Sequence, residues 1–323
     1  MSASPVVVVT GASSGLGRAT ALAFARRHAR LVLVARGAST LKEVAAECSA
    51  LGARGVATVA GDVTDRSITD RAVDTAIARD GRLDVWVNAA AVTAYGRFWE
   101  QAPADFERVL DVDIRGYANG SRSALRAMLR QRSGLIVNVS SILGEVPQPY
   151  SAAYSMSKAA IIAFGRSLRS ELSLAKSPVH VVTVLPPTLD TPIFHHAGNI
   201  TGRALKALPP VYPASDAVDE ILAAWKHPGT PERTVSGPGR TLVRQHRKRP
   251  QLVEAAVARQ TEAGQLSRER VAPTTGNLYE PSGPPHAVSG GWGGTRRKTG
   301  RVLLVAALTA GVAYAVRSPR APR

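Results

Sequence analysis

Short apolar runs alternate along the chain with longer stretches in which apolar residues recur every three or four positions. Pro5 to Val9 is the first run, and its β-branched valines favour a strand. A glycine-rich turn follows, after which Ala19 to Ala29 places Leu22, Ala23 and Phe24 on an apolar helical face. Strands are then expected at Leu31 to Ala35 and Gly55 to Val59, and helices at Thr40 to Leu51 and Ile68 to Arg79. Leu83 to Val87, Leu135 to Val139 and Val179 to Leu185 supply three further strands. All three are mostly apolar instead of alternating, as strands covered on both faces are. Two long helical stretches lie between these strands, about Asp105 to Gln131 and Tyr154 to Leu174. Ala214 to Trp225 and Arg233 to Val235 close the series as a last helix and strand. This order predicts an α/β fold, a doubly wound parallel sheet of about seven strands.

The pattern changes after Gly237. Pro, Gly and Arg become frequent, so residues 241–300 are expected to form a basic linker or loosely packed extension of a main domain at 1–240. Residues 241–323 hold 14 Lys or Arg against 4 Asp or Glu, which is +10 of the chain's net +17. The segment 301–323 contains fifteen uncharged, mostly apolar residues from Val302 to Val316 between basic clusters. As a helix that run would be about 22 Å long, short of the roughly 30 Å hydrocarbon layer. It is read either as a short anchor at a membrane surface or as a helix docked on the body or on a partner subunit.

Three features exclude other functions. The basic run Arg244, Arg247, Lys248 and Arg249 has no interleaved aromatic residues, so no nucleic-acid partner is expected. A single cysteine, Cys48, rules out an internal disulfide and speaks against a thiolate zinc site. Together with the short apolar run at Val6 to Val9, which is no signal peptide, it points to a reducing, cytoplasmic setting. His195 and His196 are adjacent, do not share a helix face and have no accompanying carboxylates, so no metal is expected.

Candidate chemistry begins at Thr10-Gly11-Ala12-Ser13-Ser14-Gly15-Leu16-Gly17, set between a strand and a helix. Glycine allows a tight turn and close approach to a pyrophosphate, and the amides at a helix start attract its charge. Thr10, Gly11, Ser13, Ser14, Gly15, Leu16 and Gly17 are therefore candidate cofactor contacts. At the end of the second strand, where an acidic residue would hold the 2′-hydroxyl of NAD, the chain has Ala35 and Arg36. A guanidinium there suits a 2′-phosphate and favours NADP(H) over NAD(H). Asp62 and Val63, after the third strand, are placed to hold the adenine edge. Tyr154-Ser155-Met156-Ser157-Lys158 stacks a phenol and an ammonium on one helical face, where the cation is expected to lower the phenol's pKa and make a usable proton donor. Ser141, at the end of a strand, places a hydroxyl on the same edge of the sheet.

Together these motifs resemble the short-chain dehydrogenase/reductase family over about residues 5 to 240. The resemblance implies a Rossmann-like fold in which Gly11, Gly15 and Gly17 hold the cofactor pyrophosphate. It also implies an active site of Ser141, Tyr154 and Lys158, and self-association through the two long helices. The family's Asn-Asn-Ala-Gly run appears as Asn88-Ala89-Ala90-Ala91, which implies cofactor contacts at Asn88 and Ala89; its Pro-Gly appears as Pro186-Pro187. Thr191 fits the threonine that contacts the nicotinamide amide. One departure is larger: Asp113 stands in the run Asp111-Val112-Asp113-Ile114-Arg115-Gly116, where the family has its active-site asparagine. The implied activity is hydride transfer between NADP(H) and a carbonyl or alcohol. The loops Leu143 to Tyr150 and Pro187 to Tyr212 would face the substrate, and their apolar content suggests an apolar one. A nucleotide-binding scaffold silenced by Asp113 is the alternative, and a lyase or epimerase a third.

Overall fold

The computed structural model describes residues 4–281 and 283–293. The apolar run Val302 to Val316 lies outside the described residues. The main sheet contains β1 (Val6–Thr10), β2 (Arg30–Ala35), β3 (Gly55–Ala60), β4 (Val85–Asn88), β5 (Leu135–Val139), β6 (His180–Leu185) and β7 (Glu232–Thr234). Their order is β7-β6-β5-β4-β1-β2-β3, and every pairing is parallel. The helices beside them are α1 (Gly15–Ala25), α2 (Ala38–Ala50), α3 (Arg66–Asp80), α4 (Pro103–Leu110), α5 (Gly116–Gln131), α6 (Ala152–Leu174) and α7 (Ala214–Lys226).

Period-two alternation divides the valines of β1 between two cores. Val7 and Val9 face Phe24 of α1, Leu41 and Val44 of α2 and Ile221 of α7, whereas Val6 and Val8 face Ala72 of α3, Met128 of α5 and Leu172 of α6. Both cores pack directly on the sheet, so the carboxyl ends of the strands form a fixed edge. The chain leaves β1 toward β2 on one side and β4 lies on the other. The loops after β1 and β4 therefore diverge and open a crevice, the position at which open α/β sheets bind ligands.

Two segments differ from the pattern read in the sequence. The long helix expected over Asp105 to Gln131 starts at Pro103 and is interrupted by one π turn, Asp111–Arg115. Such a turn inserts an extra residue and re-aims side chains, and here the Asp113 side chain is completely buried. The second difference concerns the extension. Residues 237–270 form α8 (Gly237–Lys248), α9 (Pro250–Gly264) and a strand, Leu266–Arg270, that pairs antiparallel with Arg203–Leu205. Residue 240 thus falls inside a helix. Pro238 and Pro250, which suggested a linker, sit in the first turns of α8 and α9, where a missing N–H costs nothing. Val243, Val253 and Val257 pack with Val146 in a small core of their own and fix both helices to the body.

Candidate active site

The glycine turn is compact because it is packed against the loop after β4. Gly11 has φ +68°, and a Cβ there would lie 2.7 Å from the Ala90 Cα. A Cβ on Gly17 would lie 2.1 Å from the Gly11 carbonyl oxygen, so neither position admits a side chain. Gly11, Ser13, Ser14, Gly15, Leu16 and Gly17 all line a cleft of about 450 Å³ that opens at the start of α1. Arg36, Asp62, Val63, Ala89, Pro186 and Thr191 line the same cleft. Bare backbone, hydroxyls and a helix N-terminus along one wall fit a dinucleotide pyrophosphate.

Two expected cofactor contacts lie elsewhere. Thr10 Oγ1 donates to the Val87 carbonyl at 3.3 Å and accepts from the amides of Ala89 at 3.0 Å and Ala90 at 3.2 Å. Asn88 is buried behind the cleft, where its Oδ1 accepts from Trp86 Nε1 at 2.7 Å and its Nδ2 donates to Ser121 Oγ and Asn138 Oδ1. Neither lines the cleft: both side chains turn into the sheet and brace the loop that presents Ala89. At the other end, Asp62 accepts from the Thr64 amide at 2.9 Å and pairs with Arg108. Burial pushes the Asp62 carboxyl up, but these hydrogen bonds outweigh it and hold the group below its ordinary value.

Ser141, Tyr154 and Lys158 also line this cleft. Ser141 follows β5, and its hydroxyl caps the next turn by accepting from the Leu143 amide at 3.1 Å. Tyr154 lies in the first turn of α6. Lys158, one turn on, is almost fully buried, with Nζ 5.0 Å above the Tyr154 ring, 5.1 Å above the Tyr117 ring and 3.2 Å from Asp113 Oδ2. Asp113 Oδ1 accepts from the Val92 amide at 2.9 Å, and Oδ2 accepts from the Ser157 hydroxyl at 3.1 Å. Burial pushes the Asp113 carboxyl up, against the pull of Lys158 and these hydrogen bonds.

The sequence led to the expectation that Lys158 lowers the Tyr154 pKa. In the structure the phenol is instead held well above its ordinary value, by burial first, then by the Asp113 charge and Tyr95, with the hydrogen bond to Ser141 opposing them. The reason is geometric: the ammonium contacts the phenol's ring face, while its charge is directed to Asp113. Asp113 does not itself line the cleft; it meets the cleft lining through its ion pair with Lys158.

Residues beyond the motifs complete the site. Tyr117 lies four positions after Asp113, a spacing that could have flagged it, and its hydroxyl donates to the Val139 carbonyl at 2.9 Å. Tyr95 is buried and its hydroxyl accepts from Gln265 Nε2 at 2.9 Å, a pairing across 170 positions that no local pattern reveals. Leu143, Val146, Leu208, Leu242, Val253 and Val257 line the apolar half of the cleft. His195 stacks on Trp292 at 4.4 Å and His196 is buried against the loop. Among the described residues no group of three or more His, Cys, Asp or Glu could hold a metal ion, and no helix is long and apolar enough to cross a membrane.

This geometry agrees with comparisons to known proteins. A family profile described as short chain dehydrogenase matches residues 5–199. The uncharacterized oxidoreductase YxnA of Bacillus subtilis is 33% identical over 225 residues, covering 69% of this chain and 63% of that protein. The probable oxidoreductase EphD of Mycobacterium tuberculosis is 39% identical over 194 residues, covering 60% of this chain and 32% of that protein. The chain thus spans less than two thirds of the length of either relative. A crystal structure of a short chain dehydrogenase/reductase from Burkholderia phymatum in complex with NAD superposes with a TM-score of 0.70 at 25% identity, over 77% of this chain and 95% of that one. An alcohol dehydrogenase from Thermococcus sibiricus, complexed with 5-hydroxy-NADP, shares the fold with a TM-score of 0.62 at 24% identity, over 71% of this chain and 95% of that one. A Rossmann-like sheet with this cleft defines a dinucleotide-binding α/β protein. Within that class, the chain belongs to the short-chain dehydrogenase family.

Proposed function

We propose that this protein is an oxidoreductase that transfers hydride between NADP(H) and an apolar carbonyl or alcohol. The observation that carries this reading is the meeting of the glycine turn with Ser141, Tyr154 and Lys158 in one cleft. When bound, the nicotinamide would supply or accept the hydride. Gly11, Ser13, Ser14, Leu16 and Gly17 would hold the pyrophosphate beside Gly15, whose amide donates to the Ala287 carbonyl, Asp62 and Val63 would hold the adenine end, and Ala89, Pro186 and Thr191 the nicotinamide end. NADP(H) is favoured over NAD(H) because Arg36, a permanent cation, stands where an acidic residue would select NAD.

In the reductive direction Tyr154 donates its proton to the carbonyl oxygen as hydride reaches the carbon, and Ser141 hydrogen-bonds that oxygen in place. Lys158 orients the phenol through its ring face and would bond the nicotinamide ribose; Asp113 fixes Lys158. A phenol held above its ordinary pKa is protonated at neutral pH but is a weaker acid than a free tyrosine, so its proton passes as the carbonyl oxygen gains charge from the arriving hydride. The Leu and Val wall over the far end supports an apolar substrate. Self-association belongs to the same reading, supported by the exposed Phe98, Trp99 and Met156 near α4 and α6. The test is cofactor consumption against a panel of apolar aldehydes and ketones with the wild type and Tyr154→Phe. The variant should bind NADPH within a few fold of wild type and lose turnover; retained turnover would refute Tyr154 as the acid.

A further inference from the structure

After the strand Leu266–Arg270 the chain runs back over the rim of the cleft, and its contacts follow the cleft from end to end. The Asn199–Thr274 bridge and the Asn277 amide on the His196 carbonyl at 2.8 Å set its start. The carbonyls of Asn277 and Leu278 then accept from Arg36 Nη2 at 2.7 Å and Nη1 at 3.1 Å, and the Leu278 carbonyl also accepts from Arg108 Nε at 2.7 Å. Further on, the His286 carbonyl accepts from Arg18 at 2.8 Å and the Ala287 carbonyl accepts from the Gly15 amide at 3.0 Å. Asp190 receives the amides of Gly290 at 3.1 Å and Trp292 at 2.8 Å, and the Trp292 indole donates to the Thr191 carbonyl at 3.1 Å. Leu278 is fully buried and anchors one end; Trp292, packed on Phe194 and His195, anchors the other.

We propose that residues 277–281 and 283–293 are a clasp that closes over the bound dinucleotide and sets the rate at which it exchanges. The inference rests on the dinucleotide reading above. The partners of the clasp are the groups along the cofactor wall: the cation at the end of β2, an amide of the glycine turn, and the loop bearing Thr191. Toward Arg36, Arg108, Arg18 and the Gly15 amide the bonds use main-chain carbonyls of the clasp, while Asn277, Pro281 and His286 form part of the cleft lining. The cleft keeps a volume of about 450 Å³ with Ser13, Ser14, Gly17 and Val63 also in its wall, so the segment walls the cleft and leaves room in it. Exchange then requires several carbonyl contacts and one anchor to let go together. Such a barrier slows entry and exit alike and changes affinity less than either rate.

The test compares the full chain with Trp292→Ala, which frees the distal anchor, and Leu278→Ala, which loosens the proximal one. NADPH dissociation is followed by stopped-flow fluorescence on displacement with excess NADP. Dissociation should quicken at least tenfold in Trp292→Ala, with association faster too and Kd changed less than the off-rate. In the unaltered chain, NADPH should slow amide hydrogen exchange across 277–281 and 283–293. Off-rates within twofold in both variants would overturn the clasp, as would NADPH-induced faster exchange in that segment, the mark of a plug being expelled. The same titrations report binding itself: a protein that takes up neither NADPH nor NADH would fail the dinucleotide reading, whereas one that binds and exchanges alike in all three chains would fail the clasp alone.

Discussion

Residues 5–199 and residues 200–293 wall the same cleft by different means. The first region places side chains with specific chemistry at the carboxyl ends of parallel strands: a bare glycine turn, a hydroxyl at Ser141, a phenol and an ammonium one turn apart. The second contributes volume and backbone, with Leu208, Leu242, Val253 and Val257 over the apolar half and main-chain carbonyls along the nucleotide rim. Proton donation needs particular residue types at particular spacings, whereas a wall needs only apolar atoms and a rim only peptide groups. The two regions should therefore fail differently when altered: the first in turnover and cofactor choice, the second in substrate affinity and exchange.

The largest effect is expected at the buried ion pair. Lys158→Met removes the group that orients Tyr154, and turnover should fall by about a thousandfold, within the range of general-acid and positioning losses. It also strips the buried Asp113 carboxyl of its counter-charge, which should cost about 3–5 kcal/mol in denaturant unfolding. Adding Asp113→Asn to Lys158→Met should recover most of that stability and none of the turnover. Recovery of both would mean that Lys158 acts only as a structural counter-charge. Next comes Arg36→Asp, which should move the NADPH-to-NADH preference by about thirtyfold toward NADH, or about 2 kcal/mol. An unchanged ratio in steady-state kinetics would remove Arg36 as the discriminator.

In the second region Leu242→Asp puts a charge into the apolar wall and should raise KM for an apolar carbonyl about tenfold, leaving NADPH affinity unchanged. A change in NADPH affinity instead would erase the division of labour between the regions. The smallest effect is a pH shift. The Asp113 charge raises the Tyr154 pKa, and reduction needs the protonated phenol, so activity falls as pH rises through that value. Asp113→Asn removes the charge and lets Lys158 act on the phenol, so the alkaline limb of the kcat/KM profile should move about one unit toward lower pH. A limb that stays in place or moves upward would contradict the coupling.

The same contrast explains how much was legible in the sequence. The seven strands are visible because sheet burial on both faces demands apolar runs, and the cleft residues Gly11, Gly17, Ser141, Tyr154 and Lys158 because spacing and turn geometry constrain their types. Thr10 and Asn88 carry the motif but do not line the cleft: side-chain direction at a strand end, inward or toward the cleft, is not written in residue type. Asp113 was visible as a departure, yet its effect on Tyr154 depends on the π turn that buries it beside Lys158. Residues 241–293 were unreadable for a simpler reason. Val243, Val253 and Val257 dock α8 and α9 against Val146, and the clasp meets Arg36 through carbonyls that every residue possesses.

The account stands or falls on hydride passing to a carbonyl carbon within this cleft. Incubating the protein with NADPH carrying two deuteriums at the nicotinamide C4 and an accepted apolar ketone, then analysing the alcohol by mass spectrometry, tests this directly. One deuterium is expected on the carbinol carbon with wild type and none above background with Tyr154→Phe; an alcohol formed without the label, or equal labelling by both proteins, would rule out hydride transfer through this site.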